Sequence, residues 1–189
     1  MEGYELNFAF MEGDLKLCEE LRQKGEKLEF SHYDIRQALL DGRYDLILWL
    51  DKWYPEHWSY YYKNCYPLPN AIIGGNIDLV NHIWKMAEQQ PEHEKWTDDI
   101  ALLGPQRPLY YAIQCGKYEM VEWVESKYPK DKVDERILLE CIWDGKDEFA
   151  LWLLKNREFS VSRVSANAAV CEDNFCPSTL EELRKRGFE

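Results

Sequence analysis

Apolar positions along the chain recur at helical spacing. Leu46, Trp49, Leu50 and Trp53 stand at i, i+3, i+4 and i+7, and Met120, Trp123 and Val124 follow the same pattern. Such spacing puts one apolar stripe on a 3.6-residue helix. Five segments share this stripe and a shorter apolar stretch ahead of it. They read NFAFMEGDLKLCEEL from Asn7, RQALLDGRYDLILWL from Arg36, PNAIIGGNIDLVNHI from Pro69, YYAIQCGKYEMVEWV from Tyr110 and LECIWDGKDEFALWL from Leu139. Each has a small residue (Ala9, Ala38, Ala71, Ala112, Cys141) four places before a glycine (Gly13, Gly42, Gly75, Gly116, Gly145). The pattern predicts a short first helix, a left-handed turn at the glycine and an amphipathic second helix. An acid follows each glycine (Asp14, Asp45, Asp78, Glu119, Asp147), where it can cap or charge the start of the second helix. Gly25, Pro55, Pro91 and Pro129 stop the second helices.

The glycines are spaced by 29, 33, 41 and 29 residues, so the chain repeats a unit of about thirty residues with loop insertions. The longest interval contains the polar insert EQQPEHEKWTDD from Glu88. A sixth, degraded unit runs through SANAAVCEDNFCPSTLEELRKRG, with Ala169 as its small residue and Asp173 where the glycine stood. The units fall near 4–30, 31–64, 65–104, 105–131, 132–160 and 161–189. One helix pair cannot bury its apolar faces alone, but stacked pairs can. The expected fold is therefore all-α: a helical-hairpin solenoid of about six repeats in one domain, its first and last units acting as caps.

Two units carry a sharper signature. Pro67-Leu68-Pro69-Asn70-Ala71, leading to Gly75 and Leu79-Val80, resembles the ankyrin repeat core P-L-x-x-A-x-x-x-G-x-x-x-Φ-V. Pro108-Leu109-Tyr110-Tyr111-Ala112, leading to Gly116 and Met120-Val121, resembles it equally. The endings VEWVESKYP and LILWLDKWYP are similar to second helices of the divergent ankyrin arrays found in giant DNA viruses and protists. The residue before Pro-Leu is Tyr66 or Arg107 rather than Thr, and the Gly-Ala-Asp hairpin after the second helix is missing. β-Hairpin fingers are thus expected to be shortened or replaced by loops. A helical-hairpin solenoid of another type is the alternative; the tetratricopeptide period of about 34 fits less well.

Composition narrows the function classes. Lys plus Arg number 23 and Asp plus Glu 35, for a formal charge of −12. Nucleic-acid binding and anionic membrane surfaces both demand the opposite balance. No apolar run is long enough to span a bilayer. The acids in MEGYELNFAF argue against a signal peptide, so a cytoplasmic location is expected, with the six cysteines (18, 65, 115, 141, 171, 176) reduced. No phosphate loop, G-x-S-x-G or H-E-x-x-H occurs. His82, between Val80 and Trp84, reads as a packed or edge residue, Glu92-His93-Glu94 as solvated, and Cys115 and Cys141 as packing thiols. No catalytic, cofactor or metal residue is expected.

The resemblance implies partner binding at the ends of the first helices, which line the inside of an ankyrin-like curve. The positions concerned are Met11 and Glu12, Leu40 and Asp41, Ile73 and Gly74, Gln114 and Cys115, and Trp143 and Asp144. They form a line of apolar groups flanked by acids. The stretch from Trp53 to Tyr66 is a second candidate, with seven Trp or Tyr in fourteen residues, Trp58, Tyr60, Tyr61 and Tyr62 among them. Aromatic rings of this kind bind well at low entropy cost. The alternative is a finger folded back over the stack. Trp49, Trp84, Trp123 and Trp152 fall on second helices and are expected to be core; Trp53, Trp58, Trp96 and Trp143 are not explained that way. The expected function is non-enzymatic binding of a protein by a monomer or weak homo-oligomer, and the acidic excess is compatible with a basic partner. Self-association through the aromatic surface and a catalytic effector on the same scaffold are the alternatives.

Overall fold

The computed structural model of the protein describes residues 5–29, 31–55, 67–89, 108–128, 133–158, 161–170 and 176–187. Among them are twelve helices and no strand. They are α1 (Glu5–Glu12), α2 (Leu15–Gln23), α3 (His32–Leu40), α4 (Tyr44–Trp53), α5 (Pro67–Gly74), α6 (Ile77–Glu88), α7 (Pro108–Cys115), α8 (Tyr118–Lys127), α9 (Glu135–Trp143), α10 (Asp147–Asn156), α11 (Arg163–Ala168) and α12 (Pro177–Lys185). The protein is thus all-α. None of these helices is long and apolar enough to cross a membrane. The chain divides into two compact units, Met1–Asp98 with α1 to α6 and Asp99–Glu189 with α7 to α12.

Why the chain reverses where it does follows from the glycines. All five turn glycines have positive φ, between 65° and 76°. At the first, Gly13 N–H donates to the Phe10 carbonyl at 3.0 Å and Asp14 N–H to the Ala9 carbonyl at 2.9 Å. Gly42 and Arg43 repeat the pair of bonds onto Leu39 and Ala38, and Gly145 and Lys146 repeat it onto Ile142 and Cys141. This is a Schellman end, in which two otherwise orphaned helix carbonyls are satisfied by the turn. The recurring small residue is the outer acceptor of that turn. Ala9, Ala38, Ala71, Ala112 and Cys141 are all buried.

In the first unit each first helix packs on its own second helix, and α3 lies between α1 and α5. The core is aliphatic and aromatic: Leu6, Phe10, Ile35, Leu39, Leu50 and Ile83 lose essentially all solvent contact. Helix starts are capped as the acids predict in part. Asp14 accepts from Leu17 N–H at 2.9 Å, and Asn76 takes that role for α6, with Asp78 in its first turn. The closest approach is between α3 and α5. A Cβ added to Gly74 would overlap the Leu39 carbonyl, and one added to Gly42 would lie 2.8 Å from the Gly74 carbonyl. Gly74 is therefore a backbone contact and not part of the outward row expected from the sequence.

The second unit repeats the scheme. α7 packs on α8, α9 on α10, α9 touches α7 and α11, and α12 lies along α10. Trp123 is buried like its first-unit counterparts Trp49 and Trp84, at 8–9% exposure. Trp152 differs: it is half-buried, and Tyr118 of α8 stacks on it with centroids 4.7 Å apart and planes 21° apart. Phe149 completes that cluster at 5.0 Å from Tyr118.

Helix propensity alone makes Ala better than Gly inside a helix by about 0.5–1 kcal/mol. Gly74→Ala is nevertheless expected to lower stability by roughly 1–3 kcal/mol, because α3 has no room to retreat. A urea titration that leaves the midpoint unchanged or raises it would remove the close contact from this account.

Candidate functional site

The ends of the first helices are held by side chains from the following pair. At three of the turns the residue after the glycine reaches back to the end of the preceding first helix. Arg43 Nη2 donates to the Gly13 carbonyl at 3.2 Å, and Asn76 Nδ2 to the Gly42 carbonyl at 3.0 Å. Lys146 Nζ donates to the carbonyls of Ile113 at 2.7 Å and Gln114 at 3.2 Å. Cations suit this place, since helix C-termini carry partial negative charge and unpaired carbonyls. The signal is present in the sequence, since Arg43, Asn76 and Lys146 each place a side-chain N–H donor directly after a turn glycine.

With the carbonyls satisfied from within, the side chains just before the glycines point the other way in chemistry. Met11 and Trp143 are each 50% exposed. Glu12, Asp41 and Asp144 are exposed, while Leu40, Ile73 and Gln114 are half-buried. In the first unit Met11 and Asp41 come together at a shallow open groove between α1 and α3. Phe10, Ala38 and Leu46 give it an apolar floor, and Asp34, Gln37 and Arg43 complete its walls. Asp34 is only 9% exposed; its Oδ2 accepts from Ser31 N–H at 3.1 Å in a capping box. Gln37 Nε2 donates to Asp41 Oδ1 at 2.8 Å, which fixes both side chains on one stripe of α3.

The second unit presents a related surface. Gln114 Nε2 donates to Asp144 Oδ2 at 2.6 Å, joining the ends of α7 and α9. Tyr110 lies one turn before Gln114. Its hydroxyl is pushed up by burial first, then by the carboxylates of Asp144 and Glu140. Tyr110 thus lies near the carboxylates of Asp144 and Glu140, on the helix that Trp143 ends. Cys115, in the same row, turns its Sγ to the Ala112 carbonyl at 3.0 Å.

Trp53 is placed differently from the other candidates. It is half-buried, with the Arg22 guanidinium 3.5 Å from its ring centroid and Lys52 at 4.4 Å. Arg22 is held there by Glu19, at 2.7 and 3.0 Å. The hydrogen bonds from Arg22 and then Gln23 bring the Glu19 carboxyl down to about 2. Trp58, Tyr60, Tyr61, Tyr62 and Trp96 lie outside the described residues, as does the polar insert with His93.

The second helices are also tied across pairs. His82 bonds Asp51 and lies against the Tyr44 ring at 5.5 Å, the edge position the sequence predicted for it. Arg157 pairs with Glu125 at 2.8 Å and covers Trp152 at 4.8 Å. Asp147 opens α10 but caps α12, accepting from Ser178 N–H at 3.0 Å and Thr179 N–H at 2.8 Å. Among the described residues no group of three or more His, Cys, Asp or Glu is placed to hold a metal ion.

Comparison of the chain with known protein families, with curated proteins and with solved structures finds no match. The functional reading therefore rests on the residues themselves.

Two outcomes test the local chemistry. Burial alone would raise the Asp147 pKa, but the bonds from Thr179 and Ser178 outweigh it and hold the carboxyl below the ordinary range. A depressed folded pKa stabilises fully above the unfolded value, about 3.9 for Asp, and that contribution is lost as pH falls through the folded one. Asp147→Asn is expected to cost about 1 kcal/mol at neutral pH, as other lost caps do, and to converge with the parent in acid. Parallel urea midpoints at all pH values would contradict this. Burial also pushes the Cys18 thiol up to about 11 and Cys141 up to about 12. Both are expected to resist N-ethylmaleimide until urea is added, as mass spectrometry of the labelled peptides will show; rapid native labelling of either would contradict the packing.

Proposed function

We propose that the protein is a non-enzymatic protein-binding module, an ankyrin-like stack of helix pairs whose first-helix ends engage a partner. The observation that carries this reading is positional. Met11 and Trp143, in different pairs, occupy the same place two residues before the turn glycine, and each leaves half its surface in water. Exposed apolar anchors beside polar neighbours are the composition of binding hot spots. An acid follows each of them, Glu12 and Asp144, and Asp41 follows Leu40.

Charge placement supports a basic partner. Every second helix (α2, α4, α6, α8, α10 and α12) carries Lys or Arg in its last turn: Arg22, Lys52, Lys85, Lys127, Lys155 and Arg184. The first helices α1, α3, α5, α7 and α9 carry none there. The ends of α1, α3 and α9 carry Glu12, Asp41 and Asp144, on a chain of net charge −12. Such a surface draws a cationic partner by long-range attraction. The likeness to arrays of giant viruses would place this binding in a host cytoplasm, with the protein acting there as adaptor or inhibitor.

The test is site-specific photo-crosslinking. Benzoylphenylalanine at Met11 or Trp143 is expected to capture a discrete partner from extracts of the natural cell, competed by excess unmodified protein. The same group at Lys52 or Lys155 is expected to capture far less. With the partner in hand, Trp143→Ala is expected to weaken binding about tenfold or more while leaving folding intact, and added salt to weaken it further. Undiminished affinity in both Trp143→Ala and Met11→Ala would overturn the reading.

A further inference from the structure

One repeat position behaves differently in the first helix pair. Four residues after the turn glycines stand Leu17, Leu46, Leu79, Met120 and Phe149. The last four are at most 4% exposed, but Leu17 is 37% exposed. In later pairs this position faces the pair before. Phe149 stacks on Tyr118 with centroids 5.0 Å apart, and Leu46 shares the floor of the α1–α3 groove with Phe10. Five residues before the glycine the difference recurs. Asn70 is buried and Gln37, Tyr111 and Glu140 are half-buried, whereas Phe8 is 65% exposed. Phe8 and Leu17 thus put two large apolar side chains on the face that later pairs turn to a predecessor, and both stand open to water. A terminal repeat needs a polar outer face to stay soluble. The last pair has one: Glu181, Arg184 and Lys185 are exposed on α12, and Glu181 pairs with Lys185 at 2.9 Å.

We propose that this face is covered by the same face of a second copy of the chain, in a weak two-fold dimer through α1 and α2. A copy docked head-to-tail would set Phe8 and Leu17 against the charged side chains of α12 and cost their hydration. Docked face to face, apolar surface meets apolar surface. A two-fold contact also needs a patch that complements itself. Lys16 and Glu20 supply it: both are exposed, they flank Leu17, and they reach each other at 4.0 Å along α2. Antiparallel α2 helices related by the two-fold put Lys16 of one copy beside Glu20 of the other, a complementary pair repeated on both sides. The size of the face fits a weak contact. Helices of 8 and 9 residues are about 12–14 Å long, and two side by side offer well under the ~800 Å² per partner of a stable complex. Each chain carries −12, so two copies repel at long range and added salt favours the dimer. Salt acts in the opposite sense on a basic partner, and the dimer requires neither Met11 nor Trp143.

Sedimentation equilibrium of the full chain, from about 5 to about 500 μM, tests this. The average mass is expected to rise from one chain towards two, with a dissociation constant on the order of 100 μM, and to rise further in added salt. Leu17→Glu and Phe8→Glu are each expected to weaken association about tenfold or more while leaving the urea midpoint nearly unchanged, because both positions are exposed. Lys16→Glu is expected to weaken it severalfold, and Lys16→Glu with Glu20→Lys to restore it, since the exchange keeps the two-fold pairing. Val170→Ser, at an exposed apolar residue of the last pair, is expected to change nothing. A mass that stays at one chain throughout overturns the proposal, as does association indifferent to both Phe8→Glu and Leu17→Glu. Dissociation by Val170→Ser overturns it in favour of a head-to-tail contact. Dissociation by Trp143→Ala with Leu17→Glu still associated overturns it in favour of the first-helix ends. The protein-binding reading is decided separately, by whether crosslinking at Met11 and Trp143 captures a partner other than the chain itself.

Discussion

Each first helix ends in a set of carbonyls that its own chain satisfies only in part. The Schellman bonds use two of them, as at Ala9 and Phe10. The next are taken by the residue after the following pair's glycine: Arg43 on Gly13, Asn76 on Gly42, Lys146 on Ile113 and Gln114. The turn and the register between neighbouring pairs are thus one interaction. The Gly13 and Gly42 carbonyls also accept from Leu15 and Tyr44 N–H at 3.1 and 2.9 Å, so the side chain from the next pair adds a second donor that marks the register. The same constraint explains why small residues sit four places before the glycine. They let the turn close where another helix lies against it.

That arrangement also decides where charge goes. Cations complement a helix end, and second helices supply their own from Arg22 to Arg184. First helices borrow theirs from the next pair. Arg43 and Lys146 donate to backbone carbonyls, while the exposed Glu12, Asp41 and Asp144 belong to the first-helix ends themselves.

The helix pairs, their turns and their buried faces were legible because each depends on spacing within about ten residues. An φ near +70° selects glycine, and a close helix selects a small side chain, so both leave an identity in the sequence. What was not legible depends on partners about thirty residues away. Trp53 and Trp143 look alike in sequence, but Arg22, arriving from the preceding pair, stacks over Trp53, and Trp143 is half exposed. Asp147 reads as a cap for its own helix and serves α12 instead. Gly74 reads as a surface position and is held against Leu39. In each case the deciding neighbour stands in another repeat, and no local period names it.

Asp34 serves two places with one group. One oxygen closes the capping box that starts α3. The other faces the open groove between α1 and α3 that Asp34 lines. A cap requires only an acceptor, and Asn would serve it as well. The same residue therefore starts α3 and sets the chemistry of the groove wall, so a substitution there changes both at once.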